Sequence, residues 1–238
     1  MTTAIIPVKG RIPLLIHTID RLFNKNGVDT VVCVGDDEID RIACESMGAV
    51  WVQHDNYPLG AKWNAGFVKA AEMGTEYFLF VGSSDWLSDN WLIEMLPCLD
   101  DYDMVGKPDF YMLDIETEQH RFRACHWHGY TDSSRMNEPI GIGRLIRRSM
   151  LEQLHFEPFD PKLDRSLDWS MYNNIKFSGG TVKCVQGTLT KSLSLSCDKW
   201  GNKHNFAAHY SNRIPSTKIM LVDELMNEFP ESYQIFNL

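Results

Sequence analysis

The chain has 238 residues and a mass of 27.4 kDa, and its 44% hydrophobic and 23% charged residues are a globular composition. The net charge of −9 excludes nucleic-acid binding by a uniformly basic surface and leaves only a local basic patch for that purpose. No stretch approaches the roughly 18 apolar residues of a membrane span, and the N-terminus lacks a signal-peptide pattern, so we expect a cytoplasmic location.

Strands and helices alternate over the first third of the chain. Short β-branched runs are followed by longer segments whose apolar residues have helical spacing. This alternation predicts a mostly parallel sheet with helices on both faces, in which ligands bind beyond the carboxyl ends of the strands. The predicted strands are Ala4–Val8, Thr30–Val34, Val50–Gln53 and Tyr77–Val81, and the predicted helices are Pro13–Phe23, Ile39–Met47 and Gly60–Met73.

The second half of the chain follows a different pattern, which predicts a smaller mixed β region. Two alternating segments separated by a polar turn are typical of a hairpin, and Ser166 is expected to cap the helix after it. The predicted elements are a hairpin of Asp109–Ile115 and His120–Trp127, a strand or short helix at Arg144–Leu154, a helix at Leu167–Phe177, strands at Thr181–Val185 and Thr188–Leu195, and a helix at Lys218–Asn227. We predict one α/β domain over residues 1–238.

Charged residues follow several of the predicted strands. Lys9 and Arg11 follow the first strand, Asp36 follows the second, and Ser84 and Asp85 follow the fourth. A carboxylate at the exit of a central strand can hold a hard cation, although it can also cap the helix that follows. A nucleoside diphosphate needs cations for its phosphates and an acceptor for its base, so these loops predict a nucleotide site.

Four motifs of the first hundred residues resemble the GT-A glycosyltransferases of the family 2 type. They are IIPVKGR at 5–11, VCVGDD at 32–37, GAKWNAG at 60–66 and FLFVGSSD at 78–85. The resemblance continues more weakly into residues 141–146 and 167–169. It implies a GT-A, Rossmann-like fold in which residues 1–103 bind a nucleotide sugar, with UDP-sugars favoured, and residues 104–238 bind the acceptor.

The resemblance also implies the residues of the donor site. Asp85, in an Asp-x-Asp motif, would hold Mn²⁺ or Mg²⁺, and a late histidine, His204 or alternatively His209, would complete the metal shell. Ser83 stands where the first Asp of that motif would be, but Mg²⁺ commonly keeps waters and phosphate oxygens as ligands. Asn64 either contacts the donor or satisfies local backbone. The donor-binding set is Pro7, Lys9, Arg11, Asp36, Lys62, Asn64, Ser84 and Asp85.

The catalytic residue implied by the resemblance is Asp168, which matches the second residue of the family's Glu-Asp motif, while Leu167 stands in place of the Glu. A carboxylate there would accept the proton of the acceptor hydroxyl and give inversion at the anomeric carbon. The structural alternative is a first-turn carboxylate stabilised by the helix dipole, worth roughly 0.3–1 kcal/mol. The residues expected to bind the acceptor are Trp127, Gly143, Arg144 and Trp169.

The charge pattern suggests a polyanionic acceptor. Residues 86–118 hold nine acidic residues and one basic residue, whereas residues 119–150, the basic window, hold six arginines and two acidic residues. Arginines interleaved with aromatic residues are typical of phosphate contacts and base stacking. The hypothesis is therefore an acceptor such as a hydroxymethylated base in phage DNA, contacted by Arg121, Arg123 and Arg147. The alternative is a solvated hairpin with an ordinary scatter of charge.

Two other functions compete with sugar transfer. Pro7–Arg11 followed by Pro13–Ile19 also resembles the opening of sugar nucleotidyltransferases, which join a nucleoside triphosphate to a sugar phosphate. Their first loop is usually longer and richer in glycine, because it wraps a triphosphate. A non-catalytic module that binds a nucleotide sugar is the third possibility, and it predicts binding without turnover.

Overall fold

The structure is a computed structural model that describes residues 1–116, 121–186, 194–199, 216–228, 230 and 233. In this part of the chain the strands are β1 Thr2–Pro7, β2 Thr30–Gly35, β3 Val50–Gln53, β4 Tyr77–Phe80, β5 Asp85–Leu87, β6 Met104–Gly106, β7 Phe110–Glu116, β8 Arg121–Trp127, β9 Leu145–Arg147, β10 Val182–Cys184, β11 Ser194–Lys199 and β12 Thr217–Met220. The α-helices are α1 Ile12–Asn24, α2 Glu38–Ser46, α3 Leu59–Glu72, α4 Trp91–Met95, α5 Arg148–Gln153, α6 Leu167–Phe177 and α7 Val222–Glu228.

A seven-stranded, mostly parallel sheet forms the centre of the fold, in the order β10-β6-β9-β4-β1-β2-β3. β1 pairs in parallel with both β2 and β4, and β2 pairs in parallel with β3. β9 is antiparallel to its neighbours β4 and β6. The predicted α/β class, the mostly parallel sheet and the first four predicted strands are confirmed.

The two faces of this sheet bury alternate residues of its strands. Ala4 and Ile6 of β1 pack in one buried cluster with the apolar face of α1, while Ile5 packs in a second cluster with α3 and α6. Side chains of a strand alternate between faces, so helices cover both sides as predicted. α3 approaches the sheet closely at Gly66, where a Cβ would lie 2.5 Å from the Cγ2 of Ile5.

A second, five-stranded sheet has the order β12-β8-β7-β11-β5. β7 and β8 pair antiparallel from Phe110–Trp127 to Glu116–Arg121, which confirms the predicted hairpin. On one face Met112 and Cys125 join the buried cluster that contains α1, and on the other Leu113 packs with Leu225 of α7. The central strands β7 and β8 therefore bury side chains on both faces of the smaller sheet.

Several predicted elements differ from the structure. The start of the predicted helix Lys218–Asn227 is wrong, because β12 there pairs antiparallel with β8 and only α7 is helical. Arg144–Leu154 contains both predicted alternatives, since β9 runs directly into α5. Ser166 precedes α6 in a left-handed conformation without a side-chain capping hydrogen bond, so the predicted cap is also wrong. Residues 188–193 of the predicted strand Thr188–Leu195 lie outside the described residues.

Among the described residues, none of the helices has the length and apolar character that crossing a membrane requires. The longest, α3, has 14 residues and carries Lys62, Lys69 and Glu72.

Candidate functional site

The carboxyl ends of β1, β2, β3 and β4 meet at one edge of the large sheet. These strands are parallel neighbours, so the loops that follow them lie side by side. We call this edge the carboxyl rim, and it comprises residues 8–11, 36–37, 54–58 and 81–84. Four of the eight predicted donor residues, Lys9, Arg11, Asp36 and Ser84, lie on it.

Arg11 and Ser84 come together on the carboxyl rim although 73 residues separate them. The Nη1 of Arg11 donates a hydrogen bond of 3.0 Å to the Oγ of Ser84, which is buried. Arg11 lies at the N-terminus of α1 with φ of 59°, and this left-handed turn lets the chain leave β1 sharply. A cation and a helix N-terminus thus lie beside the end of β4, an arrangement suited to an anion.

Asp85 closes the turn between β4 and β5. Its Oδ2 accepts a hydrogen bond of 2.8 Å from the backbone N–H of Gly82, and its side chain is half-buried. A Cβ at position 82 would lie 2.5 Å from the same oxygen, so the turn requires glycine. Ser83, in place of the first Asp of the motif, is buried. Asp85 is therefore the carboxylate that this turn contributes.

Lys62 joins three loops of the carboxyl rim. Its Nζ donates hydrogen bonds of 2.5 Å to the carbonyl oxygen of Val8 and to the Oδ1 of Asn56. Asn56 in turn donates to the Oδ1 of Asp36. Lys62 is only 1% exposed, and this burial lowers its pKa to about 8, with Asp36 and Asp40 opposing the fall. Lys62 is thus buried beneath the carboxyl rim and holds its loops together by hydrogen bonds.

We expect Lys62 to make stability rise with pH. Its pKa in the folded chain, about 8, is below the ordinary value of 10.5, so the unfolded chain holds more protons between these values. Stability therefore increases from about pH 8 towards pH 10.5, by at most about 1.4 kcal/mol per pH unit. In denaturant titrations over this range, the difference in unfolding free energy between wild type and Lys62→Met should grow in favour of wild type. A constant difference would contradict the prediction, and the subtraction removes the contribution of other titrating groups.

Three further residues predicted to bind the donor differ from one another in exposure and contacts. Lys9 is exposed, with its Nζ 2.9 Å from the Oη of Tyr57 and 4.6 Å from the centre of that ring. Pro7 ends β1 and is half-buried. Asn64 is buried, and its amide donates 2.9 Å to the carbonyl of Phe159 and accepts 3.2 Å from its N–H. Asn64 therefore bonds backbone groups of a segment 95 residues away along the chain, and not local backbone.

Asp168 lies in the first turn of α6 against the glycine loop of residues 141–143. A Cβ at Gly141 would lie 2.5 Å from the Oδ1 of Asp168, so the carboxylate rests on the bare backbone of this glycine. The N–H of Gly143 donates 2.8 Å to the carbonyl of Phe80, the last residue of β4. The glycine loop thus connects Asp168 to the end of β4, beside the carboxyl rim.

Arg144 holds the glycine loop and α6 together. Its guanidinium is 1% exposed and donates to the carbonyls of Pro139, Ile140 and Asp168, the last at 2.7 Å. It also forms an ion pair of 3.0 Å with Glu138, whose side chain is fully buried. These contacts give Arg144 a structural role in positioning the backbone of Asp168.

An aromatic and cationic cluster lies next to Asp168. Arg135 stacks 3.6 Å from the ring centre of Tyr130 and 5.3 Å from that of Trp169. Burial raises the pKa of the Tyr130 phenol well above its ordinary value, and the charges of Asp168 and Glu138 raise it further. The residues predicted individually for the acceptor include Trp169, whereas Tyr130 and Arg135 were indicated only as members of the basic window, because their spacing of five residues matches neither a helix nor a strand.

Trp127 and Gly143, also predicted on the acceptor side, are packed in the interior. Trp127 is buried, with edge-to-face contacts to Phe110 at 5.5 Å and Tyr130 at 4.8 Å. Gly143 has φ of +75°, and a Cβ there would lie 2.3 Å from the ring of Trp91. Both residues shape the wall behind the Asp168 region.

The described arginines of the basic window are paired with carboxylates. Of its six arginines, the four whose side chains are described form ion pairs, while the side chains of Arg121 and Arg123 lie outside the description. The pairs are Arg135 and Arg144 with Glu138, Arg147 with Asp103, and Arg148 with Glu152. The charge separation seen along the sequence is thus reduced in space. His204 and His209 also lie outside the described residues.

Comparison with solved structures identifies the fold. TarS of S. aureus (residues 1–349, in complex with UDP-GlcNAc) matches with a TM-score of 0.56 at 16% identity over 84% of this chain and 59% of that chain. A mannosyltransferase from Pyrobaculum calidifontis, in complex with GDP-Man and Mn²⁺, matches with a TM-score of 0.55 at 11% identity over 98% of this chain and 64% of that chain. This chain therefore has the predicted GT-A fold and spans less than two thirds of the length of these two structures.

A nucleotidyltransferase shares the fold as well. CMP:2-keto-3-deoxy-manno-octonic acid synthetase, complexed with CTP, matches with a TM-score of 0.50 at 12% identity over 77% of this chain and 88% of that chain. Protein-family models and curated protein sequences gave no match. The fold alone thus admits both sugar transfer and nucleotidyl transfer.

Proposed function

We propose that this chain is a glycosyltransferase that moves a sugar from a nucleoside-diphosphate sugar, with UDP-sugars favoured, to an acceptor hydroxyl. Residues 1–103 provide the donor side and residues 104–238 the acceptor side. The observation that carries the proposal is the contact of Asp168 with the glycine loop, which is hydrogen-bonded to the end of β4, the strand that the Ser84 loop follows. A cationic group for the leaving phosphates and a carboxylate for the acceptor proton are what this transfer requires.

The donor diphosphate binds at the N-terminus of α1. Arg11 provides a guanidinium that can pair with phosphate oxygens, and Lys9 provides a second, exposed cation two residues away. Asp36 faces the carboxyl rim as an acceptor for a base N–H and is oriented by Asn56. Lys62, beneath the rim, positions this group instead of contacting the phosphates.

A divalent ion, Mn²⁺ or Mg²⁺, fits the chemistry of the turn after β4. Asp85 is a hard oxygen donor at that turn, and a carboxylate accepts several bonds at once, so its bond to Gly82 is compatible with a cation. Asp85 would hold the ion, with phosphate oxygens and water as further ligands. When bound, the ion would neutralise charge on the leaving diphosphate.

Asp168 acts as the general base. It accepts the proton of the acceptor hydroxyl as that oxygen attacks the anomeric carbon, and the nucleoside diphosphate leaves from the opposite side. Attack opposite the leaving group inverts the anomeric configuration. The contacts that Arg144 and Gly141 make with Asp168 hold it in place, so its carboxylate is oriented for proton transfer before the reaction begins.

The acceptor lies against the cluster of Tyr130, Arg135 and Trp169. Aromatic faces of this kind pack on the C–H groups of a sugar, and the nearby polar groups bind its hydroxyls. Ion pairs weaken the charge argument for a polyanion, although two of the three arginines expected to contact it have side chains outside the described residues. We therefore propose a hydroxyl-bearing acceptor of carbohydrate character, and a polyanion such as DNA stays the alternative.

We expect Arg11→Met to weaken donor binding. Loss of a charge-assisted contact to the diphosphate is worth about 1.5–3 kcal/mol, which corresponds to roughly 10- to 100-fold in affinity. Calorimetric titration with a panel of UDP- and GDP-sugars measures the change. Lys25→Met removes the same charge from the exposed far end of α1 and serves as the control, so equal affinities in the two variants would contradict the prediction.

A substrate assay separates the proposed function from its alternative. The full chain is incubated with a nucleotide sugar alone, and in parallel with a nucleoside triphosphate and a sugar phosphate. Slow release of nucleoside diphosphate and free sugar from the first mixture supports glycosyl transfer. Pyrophosphate from the second mixture supports nucleotidyl transfer, and binding of nucleotide sugar without turnover in either mixture supports a non-catalytic module.

A further inference from the structure

A cluster of metal-binding side chains lies on the smaller sheet, away from the carboxyl rim. Asp109, His126 and His128 each offer one ligand atom, and these atoms all lie within 4.8 Å of one another. The Nε2 of His126 is 2.7 Å from the Oδ2 of Asp109, and the two imidazole rings have centres 4.0 Å apart. Nothing in the proposed transfer reaction uses these three residues.

The strand geometry explains why the three side chains converge. His126 and His128 are two residues apart along β8 and its extension, so they share one face of the sheet. β7 begins opposite the end of β8, with Phe110 facing Trp127, which brings Asp109 opposite His128. Gly129 allows the close approach of the two strands, because a Cβ there would lie 2.2 Å from the carbonyl oxygen of Pro108.

The surroundings orient the cluster and leave it accessible. The ring of Tyr111, which is buried, stacks on His126 with centres 4.1 Å apart and an interplanar angle of 15°. His128 is exposed, and Asp109 is half-buried. One side of the cluster is thus fixed by packing, while the other is open to solvent for an ion to enter.

We propose that Asp109, His126 and His128 bind one Zn²⁺ ion. Two imidazoles and one carboxylate are a donor set that zinc uses, and a fourth position would be taken by water. The site is distinct from the Asp85 turn, because Asp85 begins the edge strand β5, and β11 lies between β5 and β7. An ion here would link the start of β7 to the end of β8, at the point where the segment of residues 129–143 begins.

Direct metal titration tests the proposal. The full chain is stripped with a chelator, dialysed and titrated with Co²⁺ by visible absorption, then with Zn²⁺ by calorimetry. We expect one ion per chain, with displacement of Co²⁺ by Zn²⁺ and no competition from Mg²⁺, which prefers oxygen ligands. Since loss of even an outer-shell partner costs 10- to 100-fold in metal affinity, His128→Ala should weaken Zn²⁺ binding by about 100-fold or more.

Two further variants complete the test. His155→Asn changes another exposed histidine, at φ of 52° that asparagine tolerates, and should leave Zn²⁺ affinity unchanged. Asp85→Asn should also leave it unchanged, which separates this site from the ion of the proposed transferase. The proposal is overturned if wild type binds no Zn²⁺, if His128→Ala binds it as tightly as wild type, or if Asp85→Asn abolishes binding. In those cases His126 and Asp109 form a hydrogen-bonded pair without a metal.

Discussion

Asp168→Asn is expected to lower the rate of sugar transfer by about 10²- to 10⁴-fold while donor affinity stays close to that of wild type. The amide keeps the size of the carboxylate and can still rest on Gly141, but it cannot accept the proton of the attacking hydroxyl. Arg11, which is proposed to contact the donor, lies at the N-terminus of α1 and not on α6, so the substitution leaves its contacts in place. Steady-state kinetics with the identified donor gives the rate, and calorimetric titration gives the donor dissociation constant.

The matched control for Asp168→Asn is Asp101→Asn. Asp101 is an exposed aspartate that follows the short 3₁₀ helix after α4, and its substitution should change neither rate nor donor affinity. Normal turnover in Asp168→Asn would remove this residue from the mechanism. A loss of donor affinity equal to the loss of rate would instead assign Asp168 to the donor side.

Local periodicity predicted the first half of the fold well. The helical spacing over Gly60–Met73 corresponds to α3 at Leu59–Glu72, and the run Val50–Gln53 is β3 itself. Such elements bury one side against a neighbour that lies close in sequence, so their pattern is visible in the sequence. β12 was missed because a strand of four residues carries little periodicity and is fixed by pairing with the distant β8.

The candidate site was predictable to the extent that strand ends define it. The rule that ligands bind at carboxyl ends of parallel strands selected Arg11 and Ser84, and the structure joins them by a hydrogen bond. The sequence does not indicate the burial of a single side chain, so Lys62 was expected to bind the donor, although it is enclosed beneath the carboxyl rim. The contact between Gly141 and Asp168 depends on tertiary packing, and no regular spacing of residues in the sequence indicates it.

The acceptor side shows why a count of charges along the chain is a weak guide to its surface. The window of nine acidic residues and the basic window are neighbours in space, and Asp103 of the first pairs with Arg147 of the second at 2.5 Å. Within the basic window, Glu138 pairs with two arginines. Pairs of this kind fix loop positions, and they reduce the charge contrast that the linear sequence suggests.

Arg144→Met is expected to destabilise the chain by about 3–5 kcal/mol, because it removes one partner from a buried ion pair and leaves three carbonyls without their donor. For a chain of this size the melting temperature falls by roughly 2–4 °C per kcal/mol. Denaturant unfolding measures the free energy, and calorimetry measures the melting temperature. If the folded variant is assayed at low temperature, donor affinity should persist while transfer slows, since the backbone of Asp168 loses its support.

Arg135→Met provides the comparison that makes this prediction specific to the buried pair. Arg135 also pairs with Glu138, at 2.6 Å, but its side chain is 27% exposed, and Glu138 keeps Arg144 when it is lost. The destabilisation should therefore be clearly smaller than in Arg144→Met. Adding Glu138→Gln to Arg144→Met should restore part of the lost stability, because the buried Glu138 otherwise keeps only the partly exposed Arg135 as its ion-pair partner. Equal losses in the two arginine variants, with no recovery in the double variant, would show that Arg144 does not hold the loop and would return it to the acceptor-binding set.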